Sequence, residues 1–258
     1  MKRGRNKVSK IVKKCNHIML NNFRKCGCVN RKGLPSNNLD KCYKLSKKRK
    51  GCKDYALCSK FMRRLMSKSE PPLDLVSWAK KLVSNSHNCY SYFLDDQNII
   101  TTNRCRKICR KNGTCKKKIK GCSSLKPQPS YWAVVKGTRK RRNKKYNCKQ
   151  MLKSIKDDNR HIKLTKFDSK CPKNYYKGVV VVDTKNPTYH FLRQDNNMFW
   201  SHKPGTTPVS NTDASKRLIL VPHLSDMNYA KNNGSLNYDK TCSYMCVPNN
   251  SHMTTYSI

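Results

Sequence analysis

The chain has 258 residues, of which 57 are Lys or Arg and only 14 are Asp or Glu, so its formal net charge at pH 7 is +43. A charge of this size destabilises a compact fold by self-repulsion unless counter-charge is present. No run approaches the ~18 apolar residues that a membrane helix needs, and no apolar stretch of a secretory signal follows the basic start of the chain. The composition predicts a protein without a membrane span that lies against a polyanion or an anionic surface.

The basic residues are concentrated in two blocks. Residues 1–68 contain 22 basic and 2 acidic residues, and residues 104–153 contain 19 basic and none acidic. One short lysine run is usually a solvated surface, but two long blocks favour contact with nucleic acid, acidic proteins or anionic lipid. The predicted polyanion-binding residues are Lys47, Lys48, Arg49 and Lys50 in the first block and Arg139, Lys140, Arg141, Arg142, Lys144 and Lys145 in the second.

Residues 1–68 are predicted to form a basic, cysteine-rich module. Apolar residues at helical spacing predict a helix over residues 8–23. Six of the 15 cysteines lie in this module among few large apolar side chains, so cross-links are expected to stabilise it. Disulfides are the preferred interpretation, while zinc ligation and free thiols stay open, since no C-x2-C pair is present. Pro71 and Pro72 mark the boundary of the module.

Residues 69–258 are predicted to form one domain of helices and strands. An amphipathic helix is expected over residues 73–83, and a second helix is expected to begin at Cys89, capped by Asn88 or Ser86. The lysine-rich residues from about 104 to 149 are interpreted as an insertion.

The strands of this domain are expected after the insertion. Residues 179–183 and 189–193 predict two strands around a turn, and residues 199–202 predict a third; residues 242–246 are left open between strand and helix. The adjacent carboxylates at residues 95–96 and 157–158 are expected to be solvated surface groups, because sequence neighbours rarely share a site.

Three residues form a candidate catalytic set: Cys89, His190 and His202. A cysteine at a helix N-terminus has a lowered pKa and reacts as the thiolate. An imidazole on a facing strand serves as general base, and a polar group on the next strand orients it. The ordinary alternative is a structural cysteine and two unrelated strand histidines.

Residues 88–90 (NCY), 189–195 (YHFLRQD) and 200–205 (WSHKPG) carry a family resemblance. Together they resemble the papain-like NlpC-type superfamily of cysteine peptidases and amidases, in an uncharacterised branch found in bacteria and large DNA viruses. The resemblance implies an α+β fold in which a helix bearing the nucleophile packs on a small antiparallel sheet. It also implies Cys89 as nucleophile, His190 as general base and His202 as its orienter. The basic insertion between the helix and the strands departs from that pattern and is expected to cover or reshape the cleft.

These observations predict a structural protein of a large DNA virus particle, either a minor capsid or an internal virion component assembled in the host cytoplasm. Its expected partners are capsid proteins and neighbouring subunits, with nucleic acid or an anionic inner membrane surface as further candidates. No cofactor or metal is expected. Two alternatives stay open: an active papain-like cysteine hydrolase, and a nucleic-acid-condensing protein without sequence specificity.

Overall fold

Helices dominate the first part of the chain and strands the last part. The computed structural model describes residues 2–31, 33–112, 121–130, 147–186, 188–232 and 234–249. The α-helices are α1 (Lys2–Cys26), α2 (Leu39–Lys48), α3 (Lys53–Arg64), α4 (Lys81–Ser86), α5 (Cys89–Phe93), α6 (Ile99–Lys111) and α7 (Cys148–Asp158). The strands are β1 (Lys163–Thr165), β2 (Tyr175–Asp183), β3 (Thr188–Gln194), β4 (Trp200–His202) and β5 (Lys240–Pro248). Short 3-10 helices lie at Cys122–Leu125, Pro222–Leu224 and Tyr229–Asn232. None of the described helices is both long and apolar enough to cross a membrane.

Disulfides join the three N-terminal helices to one another. One disulfide links α1 to α3, and a second links α1 to the residue just before α3. The third links Cys28, just after α1, to α2, so the three helices are cross-linked to one another. The predicted disulfides of this module are confirmed, and within the described ranges no group of three His, Cys, Asp or Glu side chains is arranged to hold a metal ion. The bonded pairs are Cys15–Cys58, Cys26–Cys52 and Cys28–Cys42.

The strands form a five-stranded antiparallel sheet in the order β1-β5-β2-β3-β4. β2 is apolar and buried along almost its whole length, which is expected of a strand covered on both faces. Val179 and Val181 pack into a core shared with α1 and α3, whereas Val180 and Val182 pack into a second core with α5 and α7. The N-terminal helices and the sheet therefore bury their apolar faces against each other.

Gly178 on β2 lets α5 approach the sheet closely. A Cβ atom at this position would lie 2.1 Å from Cε2 of Phe93, which is too close for any side chain larger than hydrogen. Phe93 is fully buried and its ring lies 4.7 Å from that of Phe191 on β3. The glycine thus fixes the distance between the short helix that begins at Cys89 and the sheet.

The helix predicted over residues 73–83 is wrong in its first part. The chain makes turns up to residue 79, and α4 begins only at Lys81. Asp74 Oδ1 accepts hydrogen bonds from the backbone N–H groups of Val76 and Ser77, at 3.0 and 2.9 Å. This local turn competes with helix formation.

The predicted insertion does not begin at a structural boundary. Arg104 lies in the middle of α6, which is anchored by the Cys105–Cys122 disulfide. At the far end, Cys148 opens α7 and is bonded to Cys242 on β5. The C-terminal end of the basic segment is thus tied covalently to the sheet. The α+β class is confirmed, and residues 242–246 belong to a strand.

Candidate functional site

Cys89 is the first residue of α5, as the sequence predicted. Oδ1 of Asn88 accepts hydrogen bonds from the backbone N–H groups of Tyr90 and Ser91, at 3.1 and 3.2 Å. Asn88 Nδ2 donates to the carbonyl of Pro127 at 2.7 Å, which fixes the cap from the other side. Cys89 is also the free cysteine among the described residues. The helix start therefore holds one unbridged thiol in a rigid position.

The thiol of Cys89 is enclosed. The residue is 7% exposed, and its sulfur is hydrogen-bonded to the backbone of Phe191, the residue after His190. Burial raises the pKa of the Cys89 thiol to about 11, which outweighs the lowering by nearby Lys203 and by backbone N–H groups. The expected lowering of the Cys89 pKa is therefore wrong: a five-residue helix has a small dipole, and desolvation is the larger effect.

The two histidines of the candidate set are in direct contact. Nε2 of His190 lies 2.8 Å from Nδ1 of His202, and Nε2 of His202 lies 3.0 Å from the carbonyl oxygen of Thr212. Because a carbonyl only accepts, His202 carries its proton on Nε2 and accepts from His190 through Nδ1. His190 then donates through Nε2 and keeps a lone pair on Nδ1, the arrangement a general base needs.

Both imidazoles are uncharged at neutral pH. Burial lowers the pKa of His190 well below its ordinary value, and the neighbouring His202 adds to this effect. Burial also lowers the pKa of His202 to about 4, against a raising influence from the Thr212 carbonyl and Asp213. Tyr238 stacks on His190 with ring centroids 5.2 Å apart. The histidine pair is thus buried and uncharged.

Lys203 is part of this neighbourhood, although no role is predicted for it from the sequence. It is fully buried, and its Nζ donates to the carbonyl oxygens of Ser84, His87 and Gly205 at 3.1, 3.0 and 2.6 Å. Burial lowers the pKa of Lys203 to about 8, with Lys126 lowering it further and Cys89 raising it. The burial of a lysine cannot be predicted from the sequence alone. The only signal that could have pointed to Lys203 is its position in the WSHKPG segment.

Two of the carboxylates expected at the surface contact donors that are distant in sequence. Asp95 pairs with the guanidinium of Arg193, which is fully buried and also lies over the ring of Tyr92 at 3.9 Å. Asp158 accepts hydrogen bonds from the hydroxyl of Tyr90 and from the backbone of Ser130. The surface prediction holds for Asp95, which is exposed although it pairs with a buried guanidinium, and is wrong for Asp158, which is partly buried by contacts with donors distant in sequence.

Of the predicted polyanion-binding residues, the structure describes those at positions 47–50. Lys47, Lys48 and Lys50 are exposed at the end of α2. Arg49 is also exposed, but its Nη1 donates to the carbonyls of Lys25 and Gly27, at 2.9 Å each, and so caps the end of α1. The other predicted residues, Arg139, Lys140, Arg141, Arg142, Lys144 and Lys145, lie outside the described residues.

Comparison with known proteins gives one short match. No protein-family model matches the chain, and no solved structure matches it significantly. A stretch of 38 residues is 53% identical to Insoluble matrix shell protein 1 of Ruditapes philippinarum. The match covers 15% of this chain and 26% of that protein, so most of both chains lies outside it.

Proposed function

We propose that this protein is a structural component of an assembled particle and that its basic N-terminal module binds acidic partners. Following the resemblance of residues 88–90 and 189–205, the particle is that of a large DNA virus, with the chain as a minor capsid or internal virion protein. The papain-like core would serve as a scaffold.

The observation that carries this proposal is the distribution of charge over the disulfide-linked helices. α1 and α3 turn apolar residues into the core that they share with the sheet, and the basic side chains described on α1, α2 and α3 are mostly exposed to solvent. The module has only two acidic residues, Asp40 and Asp54, to balance them. A rigid scaffold that displays uncompensated cations is suited to holding polyanionic neighbours, because little conformational entropy is lost on binding. The exposed cations are Lys10, Lys13, Lys14, Arg24, Lys25, Lys41, Lys44, Lys47, Lys48, Lys53, Lys60 and Arg64.

Two further points support a structural role. The candidate site is enclosed, with a protonated thiol and neutral imidazoles, which is a resting arrangement unfavourable for thiolate chemistry. The short match is to a protein whose name describes an insoluble matrix component.

Fractionation of purified particles tests the proposal. The chain is expected in the particle proteome and is expected to stay bound in a mild salt wash that leaves the shell intact, since many ionic contacts would hold it. Release by mild salt without damage to the shell, or absence from the particles, would contradict a structural role.

A cysteine hydrolase is the second candidate, and one observation favours it: Cys89 remains unbridged at a capped helix start, and its sulfur is hydrogen-bonded to the backbone of Phe191, which follows His190 of the histidine pair. A thiol-directed electrophile at neutral pH distinguishes the two functions. Rapid labelling of Cys89 that is lost in His190→Ala would favour the hydrolase, whereas slow labelling in both proteins would favour the scaffold.

A further inference from the structure

A basic cleft of about 950 Å³ lies where the N-terminal helices meet the loops of the sheet domain. Its walls come from the start of α2, the last turn of α3, the turn that follows α3, and the loops at Lys170 and Asn196. Its volume falls within the range of pockets that enclose a ligand rather than an ion. The cleft is separate from Cys89 and the histidine pair.

The cleft has more cations than its own carboxylates neutralise. Asp40 is the exposed carboxylate; its pKa is lowered by a hydrogen bond from Arg63 and by the charge of that guanidinium, with weaker contributions that include Lys68. Glu70 is the buried carboxylate and is occupied by hydrogen bonds within its own turn. Lys60, Arg64 and Lys170 make no ion pair with any residue that the structure describes. The lining cations are Lys60, Arg63, Arg64, Lys68 and Lys170.

The turn that forms one wall is held in a strained shape. Lys68 has φ of +73°, a left-handed conformation that residues other than glycine rarely adopt. Glu70 holds it there: Oε1 accepts from the backbone N–H and hydroxyl of Ser67, at 2.6 and 2.9 Å, and Oε2 accepts from the backbone N–H of Lys68 at 2.9 Å. The buried carboxylate of Glu70 therefore holds this wall of the cleft in one conformation.

The cleft also offers apolar surface. Met66 is 5% exposed and Leu39 is partly buried, and both line it together with the basic side chains. No aromatic side chain lies among the described residues that line it, so it lacks the stacking platform with which proteins bind single-stranded nucleic acid. A ligand that matches both features carries negative charge and an apolar side chain.

We infer that this cleft binds an acidic peptide segment of another protein, with carboxylates on Lys60, Arg64 and Lys170 and one apolar side chain against Leu39 and Met66. The segment comes from a different protein, because this chain has only 14 acidic residues and no acidic run longer than two. The inference rests on the proposed function, since it names where on the basic module an acidic partner is recognised.

Peptide binding to the full chain tests the inference. The probe is a short fluorescent peptide of Asp and Glu residues with one central Leu, measured by anisotropy at about 150 mM salt, where long-range attraction between exposed charges is largely screened. Lys60→Glu with Arg64→Glu reverses two charges four residues apart on α3. Lys10→Glu with Lys14→Glu is the matched control, because it reverses two exposed charges at the same spacing on α1.

The cleft variant is expected to weaken peptide binding by about tenfold or more and the control by less than about threefold. Replacing the Leu of the peptide by Ser is expected to weaken binding as well. Equal losses in the two variants, equal binding of the Leu and Ser peptides, or cleft-dependent binding of a DNA duplex instead of the peptide would each overturn the inference. Lys60→Gln with Arg64→Gln repeats the test with a milder change, and circular dichroism verifies folding of every variant.

The same binding measurements distinguish failure of this inference from failure of the proposed function. If the wild-type chain binds acidic polymers and both variants lose affinity equally, the basic module still binds polyanions and only the cleft is wrong. If the wild-type chain binds no acidic polymer at this salt concentration, the proposed function fails as well.

Discussion

Burial and local structure shift the pKa of the Cys89 thiol in opposite directions. The helix cap and the nearby Lys203 favour the thiolate, but enclosure in the core favours the neutral thiol more strongly, and the pKa rises to about 11. Its alkylation by iodoacetamide is therefore expected to be slow at pH 7 and to accelerate steadily as pH approaches 11. Mass spectrometry of Cys89-containing peptides over a pH series checks this, with unfolded chain as the control. A rate that levels off below pH 8 would show an activated thiol.

The histidine pair makes a prediction about acid stability. In the unfolded chain His202 takes up a proton near its ordinary pKa of 6.5, whereas in the folded chain it does so only near 4. The unfolded state binds more protons between these values, so the free energy of unfolding falls as pH is lowered from about 6.5 to about 4, by roughly 3 kcal/mol for this residue.

The variant His202→Gln removes that titration and is expected to flatten the dependence of Tm on pH in this window. His17→Gln changes an exposed histidine on α1 and is the control. Thermal unfolding at a series of pH values measures the slopes, and equal slopes for wild type and His202→Gln would refute the assignment.

At the scale of single residues, the sequence predicted the secondary-structure element of a candidate residue better than it predicted whether the side chain is buried or paired. The start of a helix at Cys89 and the contact between His190 and His202 follow from a cap residue and from strand patterns. The burial of Lys203, and the pairing of Asp95 with Arg193, depend on contacts between distant segments. No local pattern encodes those contacts.

The packing of α5 on β2 is the element-scale feature most sensitive to one atom. Gly178→Ala would place a methyl group 2.1 Å from the ring of Phe93, so α5 has to shift or the ring has to leave its rotamer. We expect a loss of about 1–3 kcal/mol, as for other overpacked cores. Chemical denaturation measures it. Unchanged stability would mean that α5 is not held against Gly178 in this way.

The disulfides of the N-terminal module make a second prediction about elements. Cys15–Cys58 joins α1 to α3 inside the core, across 43 residues of sequence. Replacing both residues by Ala is expected to lower the free energy of unfolding by about 3–4 kcal/mol, because a cross-link restricts the unfolded chain. Thermal unfolding of the double variant and non-reducing peptide mapping of the wild type measure the loss and the pairing. A module that instead holds zinc and keeps its stability without this bridge would contradict the assignment.

Helices and strands with a strong hydrophobic periodicity were predictable from the sequence, whereas segments whose structure depends on a local turn were not. The predicted helix over residues 8–23 and the predicted strands at residues 179–183 and 189–193 lie inside longer observed elements. The helix prediction at residues 73–83 is wrong because apolar spacing does not reveal the turn that the carboxylate of Asp74 stabilises. The pairing of the cysteines could not be predicted from the sequence, since the spacing of cysteines does not determine which of them are bonded.

At the scale of the whole molecule, the helices that carry the basic surface also contribute apolar side chains to the hydrophobic core. Residues 1–68 carry a net charge of +20 and residues 104–153 one of +19, whereas the rest of the chain, residues 69–103 and 154–258, carries only +4. The structure adds that the apolar faces of α1 and α3 share one core with β2, β3 and β4. The basic surface is therefore displayed by helices that are packed against the sheet, and composition alone does not reveal this shared core.

Cross-linking mass spectrometry of the chain inside its native assembly tests the central claim most directly. With a lysine-reactive reagent, exposed lysines of the module such as Lys47, Lys48 and Lys60 are expected to be linked to segments of other proteins that are rich in Asp and Glu. A chain recovered without cross-links to any neighbour, and able to hydrolyse amide bonds in a manner lost on Cys89→Ala, would contradict a structural role and establish the hydrolase in its place.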